Sequence, residues 1–573
     1  MDGARRQSRE IKNRCGLISS GASLFCLCLA AALGYAIGGK SAGEPESPAG
    51  GTLESSAFTA ASDAPEALRM PNILLIIGDD HAAWTLGSMG DPRRATPNLD
   101  RLASQGVLFE RAYCNAPVCT PSRQSLITGK LPHAVGVTQL MTALPDGAAT
   151  LGVLAAHRGY ETVAIGKMHF NGPSRHGFAR RVDLGEWERW LKENPPPEGD
   201  HRRPWHPFVD PARLWLNADC LDAGLPAKAM SSSFFIERAA REFRASRKTP
   251  FAMVVGFYEP HSPFRFPTEW TGRYSPAGFS VPELTAFERR EQPEVFADLT
   301  TGEIRGIQAA YFTSLSFLDH QIGRLMDALD SSGLAHDTIV VYVGDNGYLL
   351  GQHGRFEKHC FYEQAVRVPL IIRWPGQIAA GRRVNDLVEM VDVLPTVLAL
   401  AGLPRPEDPH GIDLSPLLRG EPNARGRDVV YSEYTENEEA MVRDDRYKLI
   451  VGSGARLRED GYKTRNPLPL PGPYFRLYDE QRDPGETHDL SAEPALAAVR
   501  ERLLERMYER MKTTSTGEHA IPAGLARLDA IAWRLKPRDP RPPGEPKKLA
   551  LPALLKPTAR TGDAKPAVKP SGP

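Results

Sequence analysis

Cysteine is scarce in this chain, with seven residues in 573. Cys15, Cys26 and Cys28 lie in or beside an N-terminal apolar run, while Cys114, Cys119, Cys220 and Cys360 are scattered over the body. That pattern excludes a disulfide framework, and no Cys/His spacing of the zinc-binding kind occurs. Each thiol reads as a small buried hydrophobe, apart from Cys119. An excess of one charge is also missing, because Lys plus Arg and Asp plus Glu both number 70. No global field therefore draws the chain to nucleic acid, although a local basic pocket is compatible with neutrality. There is no internal repeat.

What is present is an ordinary globular composition, 41% hydrophobic and 24% charged, in a chain too long for one compact core. We expect two domains and tails. Arg5, Arg6, Arg9, Lys12 and Arg14 precede an apolar run from Gly16 to about Gly38, which is of membrane-spanning length. Basic residues on that side hold the N-terminus in the cytoplasm and send the rest outward. A cleaved signal peptide and a retained membrane anchor fit residues 1–40 about equally, and both export the body. Residues 41–70, rich in Gly, Ser, Ala, Pro and Glu, read as a linker.

Four nearly continuous apolar runs follow, at Asn72–Ile77, Glu161–Ile165, Phe251–Phe257 and Thr338–Val343. Strands buried on both faces look like this. Helical patterns lie between most of them, at Asn98–Gln105, Pro121–Thr128, Ser233–Arg244 and Ile304–Leu329, the last carrying Arg324 near its end. The alternation predicts an α/β fold with a mixed, largely parallel central sheet flanked by helices over residues 71–420. Short strands at Val429–Glu433, Tyr447–Val451 and Phe475–Tyr478, with a helix at Ala495–Lys512, predict a smaller α+β subdomain over 421–515. Residues 516–573 read as a Pro-rich, disordered tail.

Each apolar run ends in chemistry. Asp79, Asp80 and His81 follow the first, Lys167 and His169 the second, His261 the third, and Asp345 and Asn346 the fourth. Ligands in open α/β sheets bind beyond the carboxyl ends of the strands. A single loop Asp usually caps a helix, but four strands converging on one rim argue for a site. Asp79, Asp80, Asp345 and Asn346 offer only oxygen, which suits a hard cation rather than zinc. Adjacent carboxylates repel unless a cation lies between them. One divalent ion is expected, calcium favoured and magnesium not excluded. Cys119 stands just before a helical run, where a helix N-terminus stabilises anions and lowers a thiol pKa. Arg123 lies about one turn on.

The segment Cys119-Thr120-Pro121-Ser122-Arg123, within NAPVCTPSRQSLITG, resembles the signature of type I sulfatases of the alkaline phosphatase superfamily. NILLIIGDDH, GKMHFNGP, YEPHSPF, GDNGYLLGQHGRFEK and YKLI extend the resemblance over roughly Pro71 to Met511. The resemblance implies that a separate maturation enzyme oxidises Cys119 to formylglycine. It implies metal ligation by Asp79, Asp80, residue 119, Asp345 and Asn346, and a formylglycine loop held by Arg123. Lys167 and Lys358 would bind sulfate oxygens, Lys358 or His261 would stand near the leaving oxygen, and His169 beside the formylglycine hydroxyls. Gly344 occupies a position where serine is common in the family.

The expected activity is hydrolysis of a sulfate monoester, with a sulfated small molecule or glycan as substrate. One rival is a phosphonate monoester or phosphodiester hydrolase of the same superfamily; another is a non-catalytic binder of sulfated glycans. Trp187, Trp190, Trp205 and Trp215, within Asn171–Ser231, are candidates for a pocket wall that stacks on sugar rings. Ordinary packing of a long loop is the competing account of them.

Overall fold

The computed structural model describes residues 70–196, 211–406, 408–454 and 473–539. The signal or anchor segment, the linker, Trp205 and the end of the tail lie outside these residues. The elements below belong to one compact unit, which takes in the described residues of 71–170 and from Ser174 onward. No helix among the described residues is long and apolar enough to cross a membrane.

The described residues include twelve strands, arranged in two sheets. The larger comprises β1 (Asn72–Gly78), β2 (Val107–Tyr113), β3 (Glu161–Gly166), β4 (Arg180–Val182), β5 (Phe251–Gly256), β6 (Thr338–Gly344), β7 (Arg367–Arg373) and β8 (Arg382–Glu389). Its order is β4-β3-β5-β1-β6-β7-β2-β8. All pairs are parallel except those that β7 makes with β6 and β2. The sheet is thus mixed and largely parallel, as expected. The four apolar runs are β1, β3, β5 and β6, and they sit side by side at its centre. Every residue of β1, β5 and β6 is buried, which is why their sequences show no alternation.

Helices cover the sheet. The main ones are α1 (Pro97–Ser104), α2 (Cys119–Thr128), α3 (Ser231–Arg244) and α4 (Thr301–Ser331). α4 opens with a capping box, in which Thr300 and Glu303 satisfy each other's backbone N–H groups. Arg324 of α4 pairs with Glu237 of α3 at 2.8 Å. The smaller sheet is antiparallel, in the order β12-β11-β10-β9, from β9 (Val430–Tyr434), β10 (Glu439–Arg443), β11 (Tyr447–Gly452) and β12 (Tyr474–Asp479). Helix α5 (Ala497–Thr514) packs on it, and Leu503, Leu504, Met507 and Met511 join the core beneath β10 and β11.

Part of the stretch read as a disordered tail is folded. Residues 516–539 carry helix α6 (Arg527–Leu535), whose Ile531 and Leu535 complete the core of the smaller sheet. Asp539 then accepts hydrogen bonds from the Thr138 and Gln139 amides and from the Thr138 and Thr142 hydroxyls. Proline and lysine dominate the sequence only beyond this point, and the apolar period of α6 is short enough to be lost in it.

The central strands end level. Gly78 pairs with Gly344, and Gly166 with Gly256, so four loops leave one edge together. These glycines allow the close approach. A Cβ on Gly166 would lie 2.0 Å from the Gly256 carbonyl oxygen, and one on Gly344 would lie 2.5 Å from that of His81. Glycine in place of serine at 344 therefore matches the local packing.

Candidate active site

Cys119 is the first residue of α2, two residues earlier than the sequence reading placed the helix. All ten residues of α2 are buried, Val118 before it is extended, and Gly129 ends it at φ 67°. No side chain caps its N-terminus, which leaves the positive end of the helix facing the strand-end loops. The Ser122 hydroxyl donates to the Asp345 carbonyl and so ties α2 to the loop after β6.

The loop after β1 brings two carboxylates to that end. Cys119 Sγ lies 3.5 Å from Asp79 Oδ1 and 4.0 Å from Asp80 Oδ1. Asp80 adopts a left-handed conformation, φ 61°, which is costly for a residue other than glycine. Both of its backbone groups are held. Its N–H donates to Asp345 Oδ1 at 3.0 Å, and its carbonyl accepts from the Tyr311 hydroxyl at 2.8 Å.

Cations converge on the same carboxylates. Lys358 Nζ lies 2.6 Å from Asp80 Oδ1 and 2.9 Å from Cys119 Sγ. Lys167 pairs with Asp79 Oδ2. Arg123 reaches Asp345 Oδ2 at 2.8 Å and Asp79 Oδ1 at 3.4 Å, while its Nη1 donates to the Lys167 carbonyl. Burial would raise Asp79, but Lys167, His261, Arg123 and Lys358 outweigh it and hold that carboxyl well below its usual range. Burial pushes Asp345 up to about 7 against the pull of Arg123, with Asp79 and Asp80 adding to the rise. Burial also pushes the Cys119 thiol up, past the opposing effect of Lys167 and Lys358. The lowering that a helix N-terminus suggests is outweighed, so the unmodified thiol is a poor nucleophile.

Two histidines flank this centre. His261 Nε2 lies 3.7 Å from Asp80 Oδ2, and burial followed by Lys358 lowers the ring to about 4. His169, at φ 56°, meets the Thr120 hydroxyl through Nδ1 at 3.1 Å. Its carbonyl accepts from Gln124 Nε2 at 2.6 Å. Burial, then Lys167 and Arg123, hold His169 well below the usual histidine value.

All ten residues expected at the site lie in this network. Ligand atoms of Asp79, Asp80, Cys119 and His261 fall within 4.8 Å of one another. Asp345 and Asn346 stand beside that group, since Asn346 Nδ2 donates to Asp80 Oδ1 at 2.7 Å. The donor set fits a hard divalent cation. Asp80 Oδ2 and Asn346 Oδ1 are buried oxygens that accept no hydrogen bond among the described residues, an arrangement that costs energy unless something pairs with them. Sequence reasoning missed the supports Thr120, Gln124 and Tyr311. They sit within helices, where nothing marks which residue faces a site.

Of the tryptophans, Trp187 is buried and donates to the Ala229 carbonyl, and Trp190 packs on Phe234. Both are packing residues, whereas Trp215 meets His261 edge-on at 5.9 Å.

A helix-headed Cys119 among strand-end carboxylates, on a largely parallel sheet, defines a hydrolase of the alkaline phosphatase superfamily. The sulfatase family profile matches residues 71–403, and that of the C-terminal region of N-sulphoglucosamine sulphohydrolase matches 351–513. The chain belongs to the type I sulfatase family and is a sulfuric ester hydrolase. It is 30% identical over 398 residues to the iduronate 2-sulfatase of Mus musculus, covering 58% of this chain and 69% of that protein. To the Δ4,5-hexuronate-2-O-sulfatase of Bacteroides thetaiotaomicron it is 28% identical over 463 residues, with 76% and 88% covered. The crystal structure of the phosphonate monoester hydrolase of Agrobacterium radiobacter has the same fold. Its TM-score is 0.66 at 24% identity, with 78% of this chain and 96% of that one covered.

Proposed function

We propose that this sulfatase removes a sulfate monoester from a carbohydrate. It would use formylglycine made from Cys119 by a maturation enzyme, and one hard divalent cation, with calcium favoured over magnesium. The observation that carries the reading is the placement of Cys119 Sγ, 3.5 Å from Asp79 Oδ1 and 2.9 Å from Lys358 Nζ. The two relatives named for uronate 2-sulfates support a sugar substrate. So does Trp215 at the side where His261 stands, because an indole face suits the apolar face of a sugar ring.

Asp79, Asp80, residue 119, Asp345 and Asn346 would hold the cation. Bound there, it supplies the positive charge that makes a hydroxyl on hydrated formylglycine acidic and nucleophilic near neutral pH. The chain's own groups do the rest. Asp345 takes up the proton released at residue 119, and Arg123 holds Asp345 and the α2 loop in place. Lys167, Lys358 and Arg123 bring positive charge to the sulfuryl oxygens, a preorganised electrostatic contribution that is often the largest in catalysis. His261 and Lys358 would stand at the departing sugar oxygen, Lys358 offsetting its charge and the neutral His261 passing on a proton taken up from solvent. His169, oriented by Thr120, removes the proton whose loss expels sulfate. The basic flank and apolar run at the N-terminus add that the body works outside the cytoplasm.

The test joins mass spectrometry to turnover. Protein made with a maturation enzyme should carry formylglycine at 119 and release sulfate from sulfated sugars. Faster turnover of phosphonate monoesters than of any sulfate ester would replace this reading with the phosphonate one.

A further inference from the structure

Arg181 lies on the edge strand β4, whose register with β3 sets it opposite Ala164, three residues before Lys167 in sequence. Its guanidinium stacks over the Phe170 ring at 5.2 Å. Phe170 is buried and directly follows His169, so Arg181 flanks the candidate active site from the sheet edge. On the other side, Lys167 Nζ lies 5.6 Å from the centre of the Tyr258 ring. The Tyr258 hydroxyl is also close enough to Arg181 to act on its charge. Tyr258 is thus a neighbour of both the lysine assigned to sulfate and the second cation.

That second cation is poorly compensated. Its hydrogen bond is to one neutral acceptor, the Ser174 carbonyl, at 3.2 Å. Among the described residues no carboxylate lies within ion-pairing distance, and Asp183 acts on it only through space. The neighbouring strand residue Arg180 differs, since it pairs with Glu242 at 2.5 Å. Arg175, close by, spends its Nη1 on the Ala179 carbonyl at 2.7 Å and adds positive charge. A half-buried guanidinium held over an aromatic ring, with one neutral acceptor, has donors left for a planar or tetrahedral anion.

We propose that Arg181, with Tyr258 beside it, forms a second anion subsite next to the sulfate pocket. It takes a further acidic group of the same substrate, a carboxylate or a second sulfate. The proposal rests on the carbohydrate reading and narrows it to sugars with two acidic groups. The pull of burial and of Arg175 on the Arg181 charge agrees with a site that gains from an anion.

Steady-state kinetics on the matured full-length protein tests this with three sulfated monosaccharides: one with no other acidic group, one with a carboxylate and one with a second sulfate. Arg181→Gln should raise KM for one or both doubly acidic sugars at least tenfold more than for the singly acidic one. The effect on kcat should be much smaller, and Arg181→Lys should recover part of the loss. The sugar on which the effect falls identifies the anion. Equal losses on all three, or no loss on any, would overturn the subsite and leave the carbohydrate reading intact. Failure of the wild-type protein on all three, with turnover of other sulfate esters, would overturn the carbohydrate reading and the subsite together. Thermal melting of both variants separates misfolding from weakened binding.

Discussion

Lys358 Nζ lies 2.9 Å from Cys119 Sγ and 2.6 Å from Asp80 Oδ1, bridging the nucleophile position and a cation-ligand candidate. Burial lowers Lys358, but Asp80 leads a set of acidic neighbours that hold it well above its usual range. It stays charged through the working pH range and suits an oxyanion contact rather than a proton relay of its own. Replacing Lys358 with alanine should lower kcat/KM by about a thousandfold, or roughly 4 kcal/mol of transition-state stabilisation. Sulfate-release kinetics checks this. A loss under tenfold would remove Lys358 from the catalytic set.

The same burial that places Cys119 silences it as a thiol. The residue is 1% exposed, and burial raises its pKa. Iodoacetamide at pH 8 should label Cys220 well before Cys119 in native protein that has not been matured. Cys220 is only partly buried, and its thiol is pushed up to about 11. Peptide mapping reads the order directly. Rapid alkylation at Cys119 would show a free, reactive thiolate and undermine the case that modification is required.

How far the sequence foretold this depends on burial. β1, β3, β5 and β6 were legible because they are enclosed on both faces and so read as unbroken apolar runs. β2 carries Glu110 and Arg111 mid-strand, and β8 reads RRVNDLVE. Their polar, partly or fully exposed positions broke the pattern, and neither was expected. β10 was hidden for another reason. Glu439 and Arg443 at its ends look like loop residues, yet both are buried. Arg443 pairs with Glu363 at 2.7 Å, a partner remote in sequence. Asp79, Asp80, Lys167, His169, His261, Asp345 and Asn346 were legible because they follow strands, Cys119 and Arg123 because they open a helix, and Lys358 only through the sulfatase-like motif. Tyr311, which steadies the left-handed Asp80, comes from the middle of a 31-residue helix, where only the fold shows its direction.

The two buried oxygens without hydrogen bonds, Asp80 Oδ2 and Asn346 Oδ1, make metal binding measurable without turnover. Adding calcium to chelator-treated protein should raise the melting temperature, because an ion that binds only the folded state stabilises it. At a hundredfold excess over Kd the gain is about 2.7 kcal/mol. Asp80→Asn should lose most of that shift. Activity should fall with chelation and return with calcium. A melting temperature indifferent to both calcium and magnesium would argue against any cation at these ligands.

His410 ties the acid stability of the fold to one ring. Its Nδ1 accepts the Leu131 amide at 3.1 Å, which only an unprotonated nitrogen can do. Burial first, then the charges of His133 and Arg510, lower its pKa to about 3 from the usual 6.5. Unfolded chains therefore bind a proton here between pH 6.5 and pH 3 while the folded protein does not. The contribution to stability is complete above pH 6.5 and shrinks as pH falls through that window. At pH 5 the loss is about 2 kcal/mol, from one and a half units at 1.36 kcal/mol each. His410→Asn keeps an acceptor for Leu131 and removes the titration. Its melting temperature should fall less steeply than that of the wild type between pH 7 and pH 5. Parallel slopes for the two proteins would mean that His410 titrates normally in the fold and that acid sensitivity resides elsewhere.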